Sequence, residues 1–207
     1  MSKSPSRQHL PHPVVALNEK IEKRGVVLIE DVMRLPSSDV PDEPFVSPHL
    51  VIVICHQGYS IGKYDLKPIR FSAHDFSLVY PNHPIQAKET SADYRSSLLI
   101  ISSSFYEELR PRLTYGNSLL FHSQPSFHLN EEHYLCICDA IRLLKSVISF
   151  DFPSRKEMTI GILDVMSKLV DSFRKTDDKK EIQQSTTEDN LLFRRFSLLT
   201  TTVAMQP

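Results

Sequence analysis

Glycine is scarce in this sequence, five in 207 residues, and none falls in the spacing that lets backbone amides cradle a phosphate, so nucleotide-binding loops are excluded as the basis of function. A surplus of one charge is missing too. Lys and Arg number 24 against 25 Asp and Glu, a formal net charge of −1, whereas a free-standing nucleic-acid binder gathers a basic excess on one face. No stretch approaches the roughly 20 apolar residues of a membrane helix, and the opening "MSKSPSRQHLPHPVVALNEKIEKRG" has no apolar core of signal-peptide length. The three cysteines make no disulfide framework. Cys136 and Cys138 stand two apart on a segment that reads as a helix, so their side chains diverge, and they are expected as buried thiols in a reducing, cytoplasmic compartment. What is present is 41% apolar residues, enough for a real core in a chain of one domain plus an accessory element.

The apolar residues change period along the chain. Residues 1–24 read as a polar arm with Pro5, Pro11 and Pro13 and a short helix from Val14 to Lys23. "GVVLIEDV" reads as a first strand, followed by the Pro-rich surface connection "LPSSDVPDEPFVSP". From His49, "HLVIVICHQG", "YSIGKYDLKPIRFSA" (broken at Pro68), "DFSLVYP", "IQAKET" and "YRSSLLIISSSF" are strand-like, and Phe76, Leu78 and Tyr80 share a face at period two. This predicts an antiparallel β unit of sandwich or barrel type over 25–125. The second half follows the helical period. Asn130 caps a helix from Glu131 to about Phe150, and Ser154 with Glu157 forms a capping box for a second, with Met158, Ile162, Met166, Leu169, Val170 and Phe173 in its stripe. These helices, over 126–175, are expected to lie antiparallel and either cover the barrel or pair with another subunit. Residues 176–207 read as a polar linker and the start of a further helix. The predicted fold class is therefore α+β, a small antiparallel jelly-roll-like barrel followed by two amphipathic helices.

Candidate chemistry is sparse. A metal-binding barrel of the cupin kind commonly carries two histidines one residue apart, so that both side chains point inward. No His-x-His occurs in the sequence. His74 and His83 are an odd nine residues apart with Pro81 between them, and His49 with His56 has the same defect. This spacing favours strand-end histidines over ligands, and neither a metal nor another cofactor is implied. Ser102, Ser103 and Ser104 read as a helix cap, because no glycine-flanked serine elbow exists. Cys55 has no identifiable partner and reads as a buried thiol. Tyr59, Tyr64, Phe71, Phe76 and Tyr80 either line a cavity for an organic ligand or fill the barrel, and filling is the commoner arrangement in small barrels.

Taken in order, "VVLIEDVMRLP", "HLVIVICHQGYSIGKYDLKPIRFSAHDFSLVYPNHPIQ", "SLLIISSSFYEEL", "FHLNEEHYLCICDAIRLL" and "DNLLFRRF" resemble the N-terminal regulatory half of an AraC-type transcriptional activator of the kind common in Bacteroidales. The resemblance implies a cupin-like barrel that senses a small molecule or acts as a switch, and helices that carry dimerisation. It implies no catalytic residue. "LLFRRF" is similar to the start of the linker helix into the family's DNA-binding half, but "SLLTTTVAMQP" then departs from the pattern, so this chain is expected not to read DNA specifically by itself. It would act as a truncated regulator or stand-alone sensor, paired with itself or with an intact paralogue, and independent of any membrane. His56, Tyr64 and Tyr80 are the candidate ligand contacts. Leu144, Leu163, Met166, Leu169 and Phe173 are the candidate dimer contacts, and packing within one subunit explains them equally well. The alternatives are a cupin-type metal-dependent enzyme and a purely structural interaction module.

Overall fold

The computed structural model describes residues 12–33, 44–113, 125–151 and 153–176. The N-terminal arm, most of the Pro-rich connection and the "LLFRRF" segment lie outside the described residues. Helix α1 (His12–Arg24) leads into strands β1 (Val26–Met33), β2 (Phe45–Val46), β3 (Leu50–Gln57), β4 (Tyr59–Tyr64), β5 (Lys67–Ser72), β6 (Asp75–Val79), β7 (Pro84–Thr90) and β8 (Arg95–Ile101). Helix α2 (Ser103–Leu109), strand β9 (Ser126–His128) and helix α3 (Glu131–Ser149) follow, then helix α4 (155–176). The fold is α+β. Its strands pair antiparallel in two sheets, sheet A in the order β1-β8-β3-β6-β9 and sheet B in the order β2-β7-β4-β5.

The run "LVIVIC" in β3 lacks polar alternation because sheet A is covered on both faces. Ile52 stands opposite Leu78 and Leu99, and Ile54 opposite Phe76. With Leu50 and Ile101 they form one buried cluster with Ile137, Ile141 and Leu144 of α3 and Leu163, Met166 and Val170 of α4. The intervening residues face sheet B, where Val53 and Val79 pack on Tyr64 with Val51, Leu98, Ile69 and Ile85 around them. The layers therefore run sheet B, sheet A, helices. Sheet B has one open side, and β4 accordingly alternates between buried and half-buried residues.

Several local expectations are met by specific bonds. The Asn130 side chain accepts from His133 N–H at the head of α3, and Ser102 accepts from Phe105 N–H at the head of α2. Helix α4 begins directly after Ser154. Three expectations need correction. The break within "YSIGKYDLKPIRFSA" falls at Asp65 and Leu66, both left-handed with φ of 49° and 65°, while Pro68 sits inside β5, an edge strand where a missing N–H costs no ladder bond. Sheet A also continues past residue 125, because β9 pairs with β6 and sets Phe127 opposite Phe76. Finally, Cys55 is buried, but Cys136 and Cys138 are only half-buried thiols.

Candidate functional site

The three candidate ligand contacts fall on different sides of sheet A. His56 closes β3 on the helix-facing side, with Nδ1 2.8 Å from the Tyr134 hydroxyl of α3 and Nε2 2.7 Å from Ser97 Oγ. Burial pulls its pKa down, against the opposing pull of Asp31 and Glu30. It clasps α3 to the sheet. Tyr64 lies on the other side, buried between the sheets, and burial pushes its pKa up to about 12. Its ring stacks on His83 at 5.5 Å, and its hydroxyl accepts from the Tyr80 backbone N–H at 3.3 Å. The Tyr80 side chain belongs to the helix-side core. The aromatics weighed with it divide in the same way: Phe76 is in that core, whereas Tyr59 lies under the Arg70 guanidinium, 4.1 Å from its ring centre.

Three further histidines are each held by a carboxylate. His83 rides on the β6–β7 turn with Nδ1 2.6 Å from Asp65, His128 Nδ1 is 3.0 Å from Asp75, and His74 Nδ1 is 3.5 Å from Glu131 while its ring stacks on Tyr134 at 4.1 Å. Among the described residues, no group of three or more His, Cys, Asp or Glu could hold a metal ion. Ser103, His49 and Glu22 bring together the residue types of a hydrolytic triad, but with the wrong connectivity. Ser103 Oγ and Glu22 Oε1 both approach Nδ1 of His49, at 3.4 Å each, and Nε2 is buried with no partner. A proton relay needs the two groups on opposite nitrogens, and Ser103 Oγ donates instead to the Pro48 carbonyl at 2.7 Å. Glu22 is a tether: it accepts from Ser103 N–H at 3.0 Å and Ser104 Oγ at 2.8 Å, fixing α1 to α2. Burial would raise its carboxyl pKa, but those bonds outweigh burial and hold it below the usual value. The Cys55 thiol is pushed up to about 11, chiefly by burial, which leaves little thiolate at neutral pH.

A larger opening lies outside the barrel. A groove of about 820 Å³ runs between β1, the end of α1, α2 and the α3–α4 connection, with Val26, Leu28, Phe105 and Ile148 among its apolar lining. Gly25 turns the chain into it at φ +75°, and a Cβ there would come within 2.9 Å of the Phe105 ring, so glycine keeps this wall in place. Two ion pairs tie the barrel side of the groove to the helix side, Lys145–Glu30 at 2.5 Å and Lys156–Glu108 at 2.7 Å. Sequence reasoning missed this site, because its residues come from three stretches far apart in the chain, 22–30, 104–108 and 145–159, and no spacing links them.

The candidate dimer contacts divide by burial. Leu144, Leu163 and Met166 are fully buried within the chain's own core. Leu169 and Phe173 pack partly against it, and Phe173 stacks on His133 at 3.8 Å. The apolar side chains that the two helices leave exposed are Leu135 (53%), Leu143 (56%), Met158 (44%) and Val165 (53%). Among the described residues no helix is long and apolar enough to cross a membrane.

No protein-family model matches the chain, and no curated protein matches it. Similar solved structures include the AraC-like transcriptional activator CuxR, at 13% identity over 58% of this chain and 41% of that one, with a TM-score of 0.42. An apo form of ToxT from Vibrio cholerae is similar at 14% identity over 75% of this chain and 56% of that one, TM-score 0.44. A cupin family protein from Methanocaldococcus jannaschii is similar at 12% identity over 40% of this chain and 71% of that one, TM-score 0.28. The chain spans about half the length of the two regulators, and likenesses this distant carry no functional argument.

Proposed function

We propose that the chain is the sensing and pairing module of an AraC-type transcriptional regulator, acting by self-association or by association with a related subunit rather than by catalysis. One observation carries the reading: α3 and α4 share a continuous core with sheet A while keeping the apolar row Leu135, Leu143, Met158 and Val165 outward. A change at the barrel then reaches the helices through packed side chains, and the row gives a second subunit something to bury. Met158 and Val165 are seven residues apart and so lie on one line of α4. The order of barrel and helix pair is the one that the resemblance drawn from the sequence implies. In this role the inner residues Leu144, Leu163 and Met166 hold the helices to the barrel, and the outer four make the contact. His56 and Tyr134 form the link by which a rearranged sheet A would move α3.

The test is the solution mass of the whole chain by light scattering at micromolar concentration, with metal analysis of the same sample. A metal-free dimer is expected, and Leu143→Glu with Val165→Glu should weaken it by about 100-fold or more, as burying two uncompensated carboxylates would. A wild-type monomer, or a dimer indifferent to both substitutions, would overturn the reading.

A further inference from the structure

The groove beside β1 has a role that the pairing of helices does not need. Its volume, about 820 Å³, lies in the range of sites for small organic ligands, and its wall is apolar at Val26, Leu28, Phe105 and Ile148. The charges around it are unequally committed. Glu30 and Glu108 are taken by Lys145 and Lys156, Asp151 by Arg155 at 3.6 Å, and Glu22 by Ser103 and Ser104. Lys23 and Arg24, which also line the groove, make no ion pair among the described residues. The bonds from Ser103 and Ser104 leave the negative charge of Glu22 in place, so five cations face four carboxylates around the groove and its surplus is one positive charge, with Lys23 and Arg24 the cations free to meet a ligand.

We propose that this groove binds an amphipathic organic anion, its apolar body against Phe105 and Ile148 and its acidic head competing for the cations. The two bridging pairs give binding a mechanical consequence. Lys145 joins α3 to β1, and Lys156 joins α4 to α2. An anion that draws either lysine away from its glutamate releases one tie between the helix pair and the barrel. Both pairs are partly exposed, so each tie is weak and within reach of a ligand's head group. A neutral ligand of the same shape would leave both ties intact. The binding site stands whether or not the helices pair with a second subunit.

The test uses two fluorescent probes of nearly the same shape, 1-anilinonaphthalene-8-sulfonate and the uncharged N-phenyl-1-naphthylamine, titrated into the whole chain. The sulfonate should bind saturably at one site per chain, at least about tenfold more tightly than the neutral probe, a discrimination of about 1.4 kcal/mol or more. Ser149→Trp fills the groove from an exposed position of α3, and Lys156→Met removes one cation; each should weaken the sulfonate by about tenfold or more with the circular dichroism spectrum unchanged. Displacement by hexanoate or by hexyl phosphate then tells which head group the cations prefer. Equal affinity for the two probes overturns the anion assignment. Sulfonate binding that survives Ser149→Trp places the probe elsewhere, on the exposed apolar row for instance, and overturns the site. Light scattering on the same samples separates this result from the pairing proposal: binding without a change of mass retains the groove and removes its link to association.

Discussion

The two faces of sheet A do different work. On the helix side, Leu50, Ile52, Ile54, Phe76, Leu78, Leu99 and Ile101 merge with α3 and α4 into one large buried cluster. On the side facing sheet B, the buried cluster among the described residues is Val53, Tyr64 and Val79, edged by half-buried aliphatics, and buried positions there go to Cys55, Ser77 and Ser96. The interior of the barrel is therefore the lesser core. Most of the apolar area that stabilises the protein lies between the barrel and its helices, so removing the helices would strip sheet A of its main partner. It also means that the helix pair cannot shift without disturbing the best-packed part of the molecule, which is what a coupling element requires.

The largest expected effects set these faces against each other. Leu163→Asp places an unpaired carboxylate at a fully buried position and should leave the chain unfolded at room temperature, seen as loss of the cooperative urea transition. Val165→Asp, two residues on and 53% exposed, should alter stability by no more than about 0.5 kcal/mol. Within sheet A, Phe76→Ala on the helix side should cost about 3–5 kcal/mol. Val53→Ala on the other side removes two methyl groups and should cost about 1.6 kcal/mol. Equal losses at Phe76 and Val53 in urea titrations would mean that the faces are equivalent and the helices merely appended.

Those faces were half visible in the sequence. Period two identified the shared face of Phe76, Leu78 and Tyr80, and period 3.6 identified the inner stripe of α3 and that of α4 from Ile162 onward, because burial on one side writes a repeat into the chain. The same period puts Met158 in that stripe, yet Met158 is 44% exposed. The continuous run of β3 has no repeat, since both of its faces are covered, and so it announced burial without saying by what. The same limit governs the site. A stripe marks what is buried and not against which neighbour, so Leu144, Leu163 and Met166 looked equally suited to a second subunit. The groove was invisible altogether, because Glu22, Glu30, Glu108, Lys145 and Lys156 are ordinary surface residues until folding sets them around one space. Strand β9 was missed for a related reason: three residues, Ser126–His128, carry too short a pattern to register, and pairing with β6 rather than propensity makes them a strand.

A smaller effect follows from two histidines, His49, which is buried, and His56, which is half-buried. Burial depresses the pKa of both His49 and His56 below the ordinary value for histidine, against the raising influence of Glu22 on His49 and of Asp31 and Glu30 on His56. A depressed histidine is protonated more readily in the unfolded chain, so unfolding takes up protons, and stability falls as pH drops through about 6.5 and below. Above that value the contribution is fully present. Urea midpoints measured between pH 8 and pH 5 should decline on the acid side, and the His49→Gln, His56→Gln double variant should flatten the decline. An unchanged slope in the double variant would assign the acid loss to carboxylates instead.

The finest comparison uses two serines of sheet A that point to opposite sides. Ser97 Oγ meets His56 Nε2 at 2.7 Å on the helix side, and Ser77 Oγ donates to Ser126 Oγ at 2.8 Å on the other. Replacing Ser97 by Ala leaves Nε2 of the half-buried His56 without its partner while the same ring holds Tyr134 of α3, and the loss should cost about 1–3 kcal/mol. Replacing Ser77 by Ala frees Ser126, a half-buried residue at the edge strand that can turn its hydroxyl to water, so the cost should stay near the roughly 0.5–1.5 kcal/mol of an ordinary hydrogen bond, at its lower end. Hydrogen exchange adds a reading that stability alone lacks. Ser97→Ala should raise exchange in the first turns of α3, because His56 holds the Tyr134 hydroxyl, whereas Ser77→Ala should raise it only along β6 and β9. Faster exchange in α3 from both variants would mean that α3 is held by the sheet as a whole and that His56 is no special link between them.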